Sequence, residues 1–76
     1  SFDYKTALQE LCQKKYKSAP LYTLLAESGP DHDKIFEIEV AAGDSVREIG
    51  RGKSKKDAQK QAAQKAWESL QSENGT

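Results

Sequence analysis

Apolar residues recur at helical spacing near the start of the chain. Tyr4, Ala7, Leu8, Leu11 and Cys12 follow the i, i+3, i+4, i+7 rule. The spacing predicts a helix from Asp3 to about Lys15, with Asp3 as N-cap. Thr6, Gln9, Glu10 and Gln13 cluster on its opposite, polar side. Tyr16 to Pro20 reads as a connector ended by proline. LYTLLAE (Leu21–Glu27) is a short β-rich run, and SGPDHDK (Ser28–Lys34) is dense in turn residues. IFEIEV (Ile35–Val40) alternates: Phe36, Ile38 and Val40 point one way, Glu37 and Glu39 the other, to water. After a turn at Ala41–Asp44 with Gly43, SVREIGR (Ser45–Arg51) forms a third strand, made antiparallel to the second by the short link. Ser54 caps a last helix whose apolar stripe is Ala58, Ala62, Ala63, Ala66 and Leu70, with Trp67 at its edge. The expected fold is α+β, in the order α-β-β-β-α, with three antiparallel strands and both helices on one face. The domain spans residues 1–70, and 71–76 form a disordered tail.

Composition narrows the chemistry. The chain of 76 residues allows one small domain and one core. A single cysteine excludes an internal disulfide and fits a reducing, cytoplasmic setting. Cys12 and His32 are the only soft ligands, too few for structural zinc, so no metal site is expected. No apolar run is long enough to span a membrane. The start at Ser1, without methionine, reads as a piece of something longer. Cys12, Tyr4, Tyr22 and Trp67 read as core rather than chemistry.

Net charge is zero, but its distribution is uneven. Residues 26–48 carry two cations and seven anions, whereas residues 49–66 carry six cations and one anion. Arg51, Lys53, Lys55 and Lys56 crowd the start of the last helix, where the macrodipole makes cations mildly destabilising. That end of a helix offers unpaired N–H groups and positive potential, an anion site. A phosphate clamp of Arg51, Lys53, Ser54, Lys55 and Lys56 accounts for the cost; lysines on an ordinary solvated surface are the alternative.

Four stretches, in order and on matching elements, carry a resemblance: DYKTALQELCQ (Asp3–Gln13), PLY (Pro20–Tyr22), GPDHDKIF (Gly29–Phe36) and GRGKSKKDAQKQAAQKA (Gly50–Ala66). Over residues 3–70 the chain resembles the double-stranded-RNA-binding domain, and within that family the C-terminal domain of bacterial ribonuclease III. The resemblance implies that Thr6, Gln9, Glu10 and Gln13 lie in one RNA minor groove and His32 in the next, with the basic cluster on the phosphates between. Glu10 then accepts from ribose 2′-hydroxyls, which DNA lacks. A histidine at that loop tip would strengthen binding below neutral pH. Asp31 and Asp33 would shape the loop through Asx turns. Many family members carry a third basic residue where this chain has Gln59, while Lys60 points elsewhere, so weaker phosphate binding follows.

The resemblance further implies that this chain binds and does not cut. Catalysis with Mg2+, and homodimerisation, would belong to a separate nuclease domain of a parent that processes RNA, including ribosomal RNA, in the cytoplasm. Glu37 and Glu39 read as solvated, and no catalytic residue is expected here. The isolated domain would be a monomer with double-stranded RNA as partner, no cofactor and no membrane. A protein–protein module on the same fold, or an RNA-binding domain of a non-nuclease, are the competing readings.

Overall fold

The computed structural model describes residues 1–74. Helix α1 (Tyr4–Tyr16) is followed by strands β1 (Leu21–Ser28), β2 (Ile35–Ala42) and β3 (Val46–Gly52), then helix α2 (Lys55–Asn74). The strands form one antiparallel sheet in the order β1-β2-β3. The expected order of elements is therefore the observed one.

The boundaries differ where local rules compete. Tyr16, expected in the connector, closes α1. The helix is then stopped by Lys17, whose φ of 60° is left-handed and whose amide bonds the Gln13 carbonyl at 3.1 Å. LYTLLAE does not alternate, and the structure shows why it need not: the β1–β2 register slips between Leu24 and Ala26, leaving Leu25 unpaired in a bulge. The expected tail is corrected in part. Residues 71–74 continue α2, because Gln, Ser and Glu extend a helix at little cost. Glu73 there reaches Lys15 at the end of α1, at 3.9 Å. Residues 75–76 of that tail lie outside the described residues.

The alternation of β2 divides the sheet into two faces. Ile38, Val40 and Ala42 are buried. Val40, Ala42 and Val46 join Leu8 and Cys12 of α1 with Ala62, Ala63, Ala66 and Leu70 of α2 in one core. Both helices thus cover the same face. The opposite face carries Glu37 and Glu39, which are not merely solvated: Glu39 pairs with Arg47 at 3.2 Å and Glu37 with Arg51, across β2 and β3.

The backbones of β3 and α2 approach each other closely. A Cβ on Gly50 would strike the Ala58 carbonyl oxygen and the Ala62 amide nitrogen, both backbone atoms. One on Gly52 would come within 2.7 Å of the Ala58 nitrogen. Glycine on the strand and alanine on the helix are what let the two backbones approach so closely. Gly50→Ala should therefore lower stability by roughly 1–3 kcal/mol, the usual cost of overpacking. Urea unfolding measures this, and an unchanged midpoint would contradict the close approach.

Candidate nucleic-acid interface

The polar face of α1 is set by its cap. The Asp3 carboxylate accepts from the Thr6 amide at 3.1 Å and from the Thr6 hydroxyl at 2.8 Å. The first of these, then the second, holds the Asp3 carboxyl below its usual range. An ionised carboxylate can only accept, so the Thr6 hydroxyl proton is committed to it. What Thr6 presents outward is oxygen lone pairs. Glu10 presents the same, and Gln9 and Gln13 offer one acceptor and two donors each. All four side chains belong to exposed residues and line one shallow surface with Lys14.

At the start of α2, Ser54 Oγ accepts from the Asp57 amide at 3.0 Å, as expected of an N-cap. The hydroxyl proton stays available to an anion. Lys55 and Lys56 are exposed in the first turn, with Lys55 Nζ 6.0 Å from the centroid of the Phe36 ring. Lys56 lines a groove of about 660 Å³ together with Lys60, Lys5, Thr6 and Gln9. The polar face of α1 and the basic start of α2 thus meet on one surface. Lys60, expected to point elsewhere, lies one turn beyond Lys56 and lines the same groove.

The other two cations of the cluster are placed differently. Strand alternation turns the Arg51 side chain to the helix-free face, where its guanidinium pairs with Glu37, while its amide donates to Gln61 Oε1 at 2.7 Å. Lys53 faces the β1–β2 loop and pairs with Asp33 at 3.7 Å. In that loop Gly29 adopts φ +89°, and the Asp33 amide closes a turn on the Pro30 carbonyl at 2.9 Å. The aspartates, expected to make Asx turns, reach lysines instead: Asp33 to Lys53, and Asp31 to Lys34 at 3.9 Å. Lys34 also bonds Glu27 at 3.0 Å and holds that carboxyl below its usual range. His32 is exposed at the tip and lines a hollow with Lys53, Lys34 and Phe36. Phe36, under Lys55 and beside His32, joins the loop to the α2 start.

The sequence profile described as "Double-stranded RNA binding motif" matches residues 4–70. The chain belongs to the double-stranded RNA binding motif family. It is 58% identical to Ribonuclease 3 of Syntrophobacter fumaroxidans over 64 residues, covering 84% of this chain and 26% of that protein. It is 49% identical to Ribonuclease 3 of Borreliella burgdorferi over 72 residues, 95% of this chain and 29% of the relative. With Ribonuclease 3 of Sulfurovum sp. the figures are 53% over 70 residues, 92% and 31%. The chain thus spans between a quarter and a third of the length of these relatives.

Within this member of the double-stranded RNA binding motif family, Lys5 and Lys34 near the surface escaped the sequence reading, and Lys60 was read as pointing away. Lys5 stands at i, i+4 from Gln9, a spacing that places it on the border of the polar face. Lys60 is i+4 from Lys56, an equally visible signal. Lys34 is fixed by contacts within the loop and had none. No group of three or more His, Cys, Asp or Glu among the described residues is placed to hold a metal ion, and no described helix is long and apolar enough to cross a membrane.

Tyr22 forms part of the groove wall, and its hydroxyl is buried without a hydrogen-bond partner among the described residues. Burial, then the nearby Cys12, pushes the phenol up to about 12. The Cys12 thiol is itself pushed up by burial. The fold favours the neutral phenol, so this contribution is complete below the unfolded value of ~10 and is lost as pH rises from there towards the folded one. Tyr22→Phe should leave stability at pH 7 unchanged or raised, since an unpartnered hydroxyl contributes nothing there. It should also make the alkaline decline shallower. Thermal melts of both proteins across this pH range check the pair of expectations, and a clear loss at pH 7 would contradict them.

Proposed function

We propose that this chain binds double-stranded RNA by shape, contacting one minor groove with α1, the next with the β1–β2 loop, and the phosphates between them with the start of α2. The observation that carries the reading is continuity. Thr6 and Gln9 share a groove with Lys56 and Lys60, and Phe36 links Lys55 to the hollow of His32 and Lys53. Three patches from distant parts of the chain fall along one side of a small rigid body. A surface of this kind spans ~16 base pairs and reads sequence weakly. Thr6, Gln9, Glu10, Gln13 and His32 are assigned to the grooves, and Ser54, Lys55 and Lys56 to phosphate. Lys53 joins them when phosphate replaces Asp33. Arg51 stays with Glu37 and acts on the duplex only through the long-range field.

In this reading the chain is the substrate-holding part of a ribonuclease III-type endoribonuclease acting in the cytoplasm. Cleavage, its Mg2+ and homodimerisation would lie with residues outside these 76; no catalytic step is assigned to the chain itself. The identity of 58% and 49% to two Ribonuclease 3 proteins, over 84% and 95% of this chain, supports this parentage.

Replacing Lys55 and Lys56 together with alanine should weaken binding to any RNA duplex on the order of tenfold or more at low salt, and lower the salt slope by about two. Filter-binding titrations from about 50 to 200 mM salt measure both; unaltered affinity would remove the clamp. Glu10→Ala should reduce the preference for RNA over DNA of matched sequence by roughly tenfold, the value of one hydrogen bond to a charged acceptor. Equal discrimination by the variant and the parent chain would take Glu10 out of the mechanism.

A further inference from the structure

Two cations near this surface are already matched by carboxylates, Lys34 by Glu27 and Asp31 and Lys53 by Asp33, while Arg51 pairs with Glu37 on the helix-free face. Lys5 is held differently. Its Nζ donates to Gln59 Oε1 at 2.7 Å, across 54 positions of sequence, and stands 5.6 Å from the centroid of the Tyr22 ring. Neither partner is charged. An amide oxygen and an aromatic face orient an ammonium without neutralising it. Asp3 is close enough to feel the charge, but its carboxylate is engaged by Thr6. No carboxylate among the described residues lies within ion-pair distance of Lys5. Its side chain is half-buried, so much of the entropy lost on ordering a lysine is lost on folding rather than on binding.

The position matters as much as the charge. Lys5 lines the same groove as Thr6 and Gln9 on one side and Lys56 and Lys60 on the other. We infer that Lys5 is a further phosphate-binding residue, held in place by Gln59 and Tyr22, which bridges the acceptor face of α1 and the basic start of α2. Gln59 is the positioning residue: its carbonyl oxygen takes one of the three ammonium donors and leaves two for a phosphate oxygen. A strand of RNA leaving the minor groove at Thr6 and Gln9 meets Lys5 before it reaches Lys56. The inference rests on the duplex binding proposed above.

The test compares salt slopes on an RNA duplex longer than ~16 base pairs. Lys5→Met keeps an alkyl stem over Tyr22 and removes only the charge. It should raise Kd about threefold to tenfold and lower the slope by about one. Gln59→Leu leaves the charge but frees it; the slope should hold while Kd rises about twofold to threefold as the lysine loses its orientation. Lys5→Met combined with Gln59→Lys returns a cation to the same spot and should restore the slope. Thermal melts confirm that each variant is folded. If folded Lys5→Met keeps the full slope, or the double variant fails to regain it, the role of Lys5 is overturned. If Lys55 and Lys56 can also be removed without loss, it is the duplex-binding reading itself that fails.

Discussion

The proposed interface depends on how closely one helix lies against one strand. Gly50 and Gly52 bring the β3 backbone against Ala58 and Ala62 of α2, with no side chain between them. The Arg51 amide bonds Gln61, and Lys65 Nζ bonds the Ile49 carbonyl at 2.8 Å, so the contact is hydrogen-bonded along its edges. This docking fixes the axis of α2, and with it the direction in which the first turn projects beyond the sheet. Ser54, Lys55 and Lys56 contribute no side chain to the buried core. They inherit their position from alanines one and two turns further along. The α1 helix is placed in turn by α2, through Leu8 and Cys12 against the same alanine stripe. Small residues at the centre thus determine where the charged residues at the rim end up.

A neutral protein can face a polyanion only if its charges are sorted in space. Here the sorting follows from strand alternation. Glu37 and Glu39 occupy the helix-free face of β2, where Arg51 and Arg47 lie directly across or diagonal to them. Those ion pairs are exposed and worth little for stability, about 0–1 kcal/mol each. Their electrostatic effect is larger than their energy suggests, because they confine much of the negative charge to the face pointing away from the proposed duplex. Lys5, Lys55, Lys56 and Lys60 have no carboxylate within ion-pair distance among the described residues. The β1–β2 loop is the exception. Its aspartates sit at the interface itself and hold Lys53 and Lys34, so an incoming phosphate must compete with Asp33 for Lys53. That competition is between two anions for one exposed cation, a modest barrier that orders the loop while it is free.

Periodicity, β-rich composition, turn residues and one short link were enough for the element order, the antiparallel sheet and the buried alanine stripe, because each of these signals is local in sequence. The caps at Asp3 and Ser54 were equally legible, since a side-chain acceptor three residues before an orphan amide is a local rule. The bulge at Leu25 and the left-handed Lys17 were not, because both are set by how neighbouring elements meet. The same division holds in the candidate site. Thr6, Gln9, Glu10 and Gln13 form one stripe in sequence and one surface in space. Arg51 was grouped with the lysines because it is near them in sequence, yet a strand sends consecutive residues to opposite faces, and Arg51 falls opposite Glu37. The Lys5–Gln59 bond joins residues 54 positions apart and leaves no trace in the sequence.

The proposed binding mode also gives a surface containing carboxylates a physical reason to prefer RNA over DNA. Phosphate charge is common to both duplexes, so lysines alone cannot discriminate between them. The discriminating group is the ribose hydroxyl, a donor that lines the wide, shallow minor groove of the A-form helix. A site selective for donors must present acceptors. The Glu10 carboxyl offers acceptor oxygens, and Thr6 offers its own because its hydroxyl donates to Asp3. The N-cap that starts α1 therefore has a second consequence: the carboxylate that caps the helix through the Thr6 amide also fixes, through a separate bond from the Thr6 hydroxyl, the polarity of the side chain beside the groove. Against DNA the same two acceptors would face apolar deoxyribose carbons and nearby phosphates, with no donor to offset the repulsion. In the proposed binding mode, selectivity comes from pairing an unfavourable charge with a hydroxyl that only one of the two nucleic acids supplies.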